Sequence, residues 1–217
     1  MLRLITGGSG SGKSRLAEET VLSLKPEKRY YIATMIAWDE ECRKRISRHR
    51  AMRAGKGFET LECPVDLEQV RVEAGSAVLL ECLSNLTANE FFRGGEELAD
   101  KGSSARQEAS GGAFSPESQE ESAPSCRDGR GERKRRTEEK IMKGIRSLME
   151  QAAEVVVVTN EIFSDGTVYD RETMDYMEVL GRLNVRLAET AGEVTEVVFG
   201  IPLKKKTSFG AEGGAGR

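Results

Sequence analysis

Eight consecutive residues near the start of the chain, Gly7-Gly8-Ser9-Gly10-Ser11-Gly12-Lys13-Ser14, fit the pattern G-x-x-x-x-G-K-[ST]. Glycines in such a run let backbone N–H groups turn inward around phosphate oxygens. The Lys13 ammonium reaches for β- and γ-phosphates, and the Ser14 hydroxyl is placed to ligate Mg²⁺. A helix opening here aims the positive end of its dipole at the anion. A phosphate loop of this kind needs a further carboxylate for the metal, at the end of a neighbouring buried strand. Glu81, directly after Val78-Leu79-Leu80, stands in such a place. Glu161, which follows four valines, Thr159 and Asn160, is a second candidate.

The chain has one histidine, His49, within Arg45-Ile46-Ser47-Arg48-His49-Arg50-Ala51-Met52-Arg53. On a helix Arg45, His49 and Arg53 are four residues apart and share a face. A neutral imidazole nitrogen there can attack phosphorus and form a phosphoramidate, while the arginines grip nucleotide phosphates. The same residues also suit a solvated surface helix on which His49 has no chemical role.

These groups need a scaffold, and the apolar pattern supplies one. Residues 2–6 form a short apolar run before the glycines, and 14–24 have helical spacing. Residues 30–34, 58–63, 77–82, 154–159 and 194–199 read as strands, and 39–53, 138–153 and 173–191 as helices. The four valines at 155–158 describe a central strand buried on both faces. Alternating strands and helices imply an α/β fold, a mostly parallel sheet with helices on both faces.

Composition bounds the rest. Of 217 residues, 38% are hydrophobic and 32% charged, and the formal net charge is −3. The near-neutral balance argues against a dedicated nucleic-acid binder. No apolar run is long enough to span a membrane, and Met1 to Thr6 lead straight into glycines with no secretory signal expected. Cys42, Cys63, Cys82 and Cys126 form no C-x-x-C pair, and one histidine is too few for a Cys/His zinc site, so reduced thiols in a cytoplasm are expected. The polar excess is local. Residues 94–137 hold seven Gly, seven Ser and 17 charged residues, with Leu98 and Phe114 as the large apolar ones. Such a stretch buries too little to offset chain ordering, and a disordered insertion is expected. Its Arg133-Lys134-Arg135-Arg136 run reads as a solvated charge run, with contact to an acidic surface as the sharper reading. Residues 1–93 and 138–203 then form a single nucleotide-binding domain, and 204–217 a flexible basic, Gly-rich tail.

Taken in order, the motifs resemble the bifunctional adenosylcobinamide kinase/adenosylcobinamide-phosphate guanylyltransferase family of cobalamin biosynthesis. Thr6 to Arg15 with Ala17-Glu18 looks like its T-G-G-x-x-S-G-K-S-R-x-A-E opening. Tyr31-Ile32-Ala33-Thr34, then Asp39, Glu40, Arg45-Ile46 and His49, is similar to Y-I-A-T…D-x-E…R-I-x-x-H. Arg53, Thr60 and Glu62, Leu80-Glu81-Cys82-Leu83 with Asn89, Thr159-Asn160-Glu161, Gly181-Arg182-Leu183-Asn184 and Gly200-Ile201-Pro202-Leu203 follow in the family's order. The chain departs from it at Phe58, where the family has Trp, at Arg53-Ala54 for Arg-Pro, and at residues 163–168, where the family has G-x-G-I-V-P.

The resemblance implies a RecA-like P-loop NTPase fold and a homo-oligomer, often a trimer. It implies phosphorylation of adenosylcobinamide by ATP or GTP with Mg²⁺, then transfer of GMP from GTP through a guanylylated histidine, here His49. Implied nucleotide contacts are Gly7, Gly8, Ser9, Gly10, Ser11, Gly12, Lys13 and Ser14, together with Thr34, Met35, Ile36, Arg50, Ala51, Met52, Arg53, Glu62 and Glu81. Two other readings keep the phosphate loop. One is a small-molecule kinase without a histidine intermediate, and the other is a nucleotide-dependent binding module recruiting a partner through 94–137.

Overall fold

A computed structural model of the chain describes residues 1–37, 40–103 and 126–207. Strand β1 (Leu2–Gly7) runs through a glycine turn into helix α1 (Lys13–Ser23). Then come β2 (Arg29–Ala33), α2 (Glu40–Arg53), β3 (Phe58–Glu62), a 3₁₀ turn at Leu67–Gln69 and β4 (Ala77–Glu81). Helices α3 (Leu83–Ser103) and α4 (Cys126–Gln151) precede β5 (Glu154–Val158), α5 (Arg171–Thr190), β6 (Glu193–Val198) and β7 (Ile201–Thr207).

Among the described residues seven strands form one sheet in the order β3-β2-β4-β5-β1-β6-β7. All neighbours are parallel except the hairpin of β6 and β7. One strand, β5, separates β1 with its phosphate loop from β4 with Glu81, giving the RecA-like arrangement. The register aligns Ala33 with Glu81, Glu81 with Val158, and Val158 with Ile5. Gly7, Thr34, Glu81 and Thr159 therefore come out at the same edge, the carboxyl ends of the strands, where open α/β sheets bind ligands.

Alternation along each strand divides the core in two. Leu2, Leu4, Ile32, Val78, Leu80, Val155 and Val157 pack under α3, α4 and α5. Ile5, Tyr31, Leu79, Val156 and Val158 face α1, which contributes Ala17 and Val21. Val155 to Val158 are wholly buried, and each such side chain contributes roughly 1.5–3 kcal/mol. Charged residues accordingly sit at the ends of β4 and β5, as Glu81 and Glu154 do. Helix α4 reaches the 3₁₀ turn so closely that a Cβ at Gly144 would stand 2.8 Å from Leu67 Cβ. Asp170 caps α5 by accepting from Glu172 N at 2.9 Å and Thr173 N at 3.0 Å.

Three composition-based expectations are corrected. The polar insertion is narrower than residues 94–137. Its first ten residues continue α3 and residues 126–137 are the start of α4, while 104–125 lie outside the described residues. The basic run is also not a free charge run. Arg133 donates to Glu172 at 2.8 Å and lies 4.0 Å over the Phe91 ring, and Lys134 reaches Asp175 at 3.1 Å and Glu178 at 2.6 Å. Partners on α5, distant in sequence, draw these cations onto the core. At the other end, residues 204–207 of the expected tail belong to β7, which completes the edge of the sheet, and 208–217 lie outside the described residues.

Candidate active site

The phosphate loop is shaped by close backbone approach. A Cβ on Gly7 would lie 2.5 Å from Val197 O on the neighbouring strand, so only glycine lets β1 and β6 meet there. Gly12 stands at the N-terminus of α1 with no side-chain cap, and no acid occupies the first turn. The first N–H groups of α1 thus have no carboxylate competing for an anion. Lys13 is buried, its Nζ donating to Gly8 O at 2.9 Å across the loop.

Glu81 is the centre of the site. Ser14 Oγ donates to its Oε1, and the Tyr31 hydroxyl donates to its Oε2 at 3.0 Å. His49 Nδ1 lies 3.5 Å from the same Oε1 that Ser14 contacts, and makes no hydrogen bond. His49 retains 18% of its side-chain surface and Glu81 8%. The described side chains of α2 belong to neither hydrophobic cluster. The Arg53 guanidinium stacks 3.3 Å above the Tyr31 ring, and among the described residues its buried Nε and Nη1 have no hydrogen-bond partner. Just beyond α2, Lys56 Nζ reaches the wholly buried Glu18 of α1 at 2.5 Å. Arg50 pairs with Glu62 at 2.7 Å, both half exposed.

The phosphate loop, Tyr31, Glu81, His49, Arg50 and Arg53 line a cavity of about 680 Å³. Of the residues expected at the site, Ser9, Gly10, Gly12, Lys13, Ser14, Met35, His49, Arg50, Arg53, Glu62 and Glu81 line it. Gly7, Gly8, Ser11, Ile36 and Ala51 do not, and the side chain of Met52 lies outside the described residues. Thr34 is also absent from the lining. It is wholly buried, its Oγ1 donating to Cys82 O at 2.9 Å and accepting from Cys82 N at 2.8 Å, so it ties β2 to the end of β4. Glu161 lines the cavity, but its Oε1 accepts from Phe163 N at 2.9 Å and Ser164 Oγ at 2.8 Å, capping its own loop.

Sequence reasoning missed Tyr31, Asn85 and Ile162 as lining residues. Tyr31 reads as a core position of a strand, and burial beside the Glu81 carboxylate raises its phenol far above the ordinary range, keeping it a donor. Cys82 lines the cavity too, and burial pushes its thiol upward, which disfavours the thiolate.

A family model described as cobinamide kinase / cobinamide phosphate guanyltransferase matches residues 3–205. The chain belongs to that family. It is therefore a nucleotide-using transferase of adenosylcobalamin biosynthesis, a cobinamide kinase and cobinamide phosphate guanyltransferase. It is similar to the bifunctional adenosylcobalamin biosynthesis protein CobU of Salmonella typhimurium, 32% identical over 95% of this chain and 100% of that one. The protein of the same name from Escherichia coli is 30% identical over 95% and 100%. Among solved structures, flagellar accessory protein FlaH from Methanocaldococcus jannaschii is 10% identical with a TM-score of 0.41, over 95% of this chain and 78% of that one. No helix among the described residues is long and apolar enough to cross a membrane.

Proposed function

We propose that this chain phosphorylates adenosylcobinamide with ATP or GTP and then transfers GMP from GTP to the product through a guanylylated His49. One observation carries the reading. His49 and the phosphate-loop Ser14 contact the same carboxylate oxygen of Glu81, inside one cavity. A nucleophile and a polyphosphate cradle are thereby held within reach of one nucleotide.

With its proton on Nδ1, His49 faces Glu81 and keeps the lone pair on Nε2. That lone pair attacks the α-phosphorus of GTP, a P–N bond forms, and the α–β P–O bond breaks with its electron pair leaving on pyrophosphate. Lys13 and the N–H groups at the start of α1 hold the leaving charge. Glu81 offsets the positive charge that develops on the imidazole, as the orienting acid does in other nucleophile–base pairs. Ser14 and Glu81 are hard oxygen donors in contact at a phosphate site, which fits Mg²⁺, an ion bound through one or two protein oxygens plus substrate phosphates. Bound there, Mg²⁺ would supply Lewis-acid neutralisation of phosphate charge.

In the kinase step the same loop holds the γ-phosphate for attack by the corrinoid hydroxyl, and His49 is a bystander. Self-association through the exposed Phe199, Ile201 and Leu203 at the sheet edge belongs to the same proposal; light scattering should give a multiple of the chain mass, and the mass of a single chain would refute it. The test of the reading is peptide mass spectrometry after incubation with GTP and magnesium. A GMP adduct on the peptide containing His49 supports it, and transfer activity without any adduct refutes it.

A further inference from the structure

Resting on the guanylylated His49 proposed above, we infer that the phosphate loop serves twice, first for pyrophosphate and then for the phosphate monoester of the incoming acceptor. Displacement at phosphorus places the attacking and leaving atoms roughly in line. In the first step Nε2 enters on one side of the α-phosphorus and pyrophosphate leaves on the other. In the second step the acceptor oxygen forms a P–O bond as the P–Nε2 bond breaks, and its electron pair returns to the imidazole. Both steps share His49 as one of the two apical groups. The acceptor oxygen must therefore enter from the side that pyrophosphate vacates.

That side is built for an anion. The loop lining residues Gly10, Gly12, Lys13 and Ser14 face the same cavity as His49. Arg53 adds an independent observation. The residue is 7% exposed, it lines the cavity, and its Nε and Nη1 are buried with no hydrogen-bond partner among the described residues. Unsatisfied buried guanidinium N–H groups are costly, and a phosphate arriving in the cavity relieves that cost. Lys13 on the loop and Arg53 at the end of α2 thus supply positive charge from two elements. A dianionic monoester finds what a pyrophosphate leaves behind, whereas the unphosphorylated corrinoid gains nothing from it. The order of reactions follows, since the kinase step creates the group by which the acceptor is held for the transferase step.

The test uses His49→Ala, or His49→Asn if the first variant is unstable, so that no covalent chemistry occurs. Binding of cobinamide phosphate is titrated calorimetrically, with and without magnesium pyrophosphate at ten times its own Kd. Sharing one site predicts that the apparent Kd of cobinamide phosphate rises about tenfold, while the weaker binding of unphosphorylated cobinamide does not change. An unchanged Kd for cobinamide phosphate overturns the inference. So does an equal rise for both corrinoids, because the phosphate would then not be the competing group. Failure here is distinct from failure of the histidine reading, which is judged separately by the GMP adduct on the wild-type protein.

Discussion

The two walls of the cavity are built by different means. One wall is the phosphate loop and Glu81, set at the ends of β1 and β4, whose apolar side chains are buried. The other is α2, whose described side chains contribute no member of either hydrophobic cluster and which is held through Arg53 on Tyr31, Arg50 on Glu62 and the neighbouring Lys56 on Glu18. The contrast teaches how one site can host two reactions. Under the proposed mechanism both reactions use the phosphate-binding wall, which is rooted in the core. Under the same mechanism the wall with His49 serves guanylyl transfer alone, and it is a helix outside both hydrophobic clusters.

If that division is right, damage to the first wall strikes both reactions. Lys13→Ala is expected to lower kcat/KM of the kinase and of the transferase by roughly 10²–10³-fold, the usual loss for removing a preorganised donor to developing oxyanion charge. Steady-state assays of each step check it. Loss of one activity alone would break the comparison.

Damage to the fastening of the second wall should separate the two. Lys56→Met leaves Glu18 buried without its cation. Breaking a fully buried pair costs about 3–5 kcal/mol, and Lys56 is one-third exposed, so about 2 kcal/mol is expected in chemical denaturation. The rate of His49 guanylylation should fall while cobinamide phosphorylation holds. Tyr31→Phe sharpens the picture by keeping the ring beneath Arg53 and deleting the hydrogen bond to Glu81. A stability loss of about 1 kcal/mol is expected, with a drop in both activities, because Glu81 serves both. Arg50→Ala should do least, no more than about 0.5 kcal/mol, since both members of its pair are half exposed.

The same division explains what could be read from the amino-acid sequence. The phosphate loop is contiguous, so its chemistry needs only neighbours in the chain. Glu81 was visible because it ends an apolar run, and His49 because it is the one histidine. Tyr31 was not, since its partnership with Glu81 depends on the pairing of β2 with β4. Helix α3 escaped because Ser84, Thr87 and Glu90 are buried among its apolar residues and blur the helical period. Each is satisfied by a distant or intrahelical partner. Asn160 donates to Ser84 Oγ at 2.6 Å, Thr87 donates to Leu83 O at 2.8 Å, and Lys140 reaches Glu90 at 2.7 Å. The cations at 133 and 134 were misjudged for the same reason, because composition cannot show that α5 supplies their carboxylates.

The central claim is that His49 carries the guanylyl group while the phosphate loop serves both steps. It is tested most directly with GTP labelled at the α-phosphate, given to wild-type protein and to His49→Ala, each assayed in parallel for ATP-dependent phosphorylation of cobinamide. The account predicts an acid-labile, base-stable protein label on wild type, no label on His49→Ala, and kinase activity in both. A wild-type protein that transfers GMP without ever holding the label, or a variant that labels as well as wild type, would contradict it.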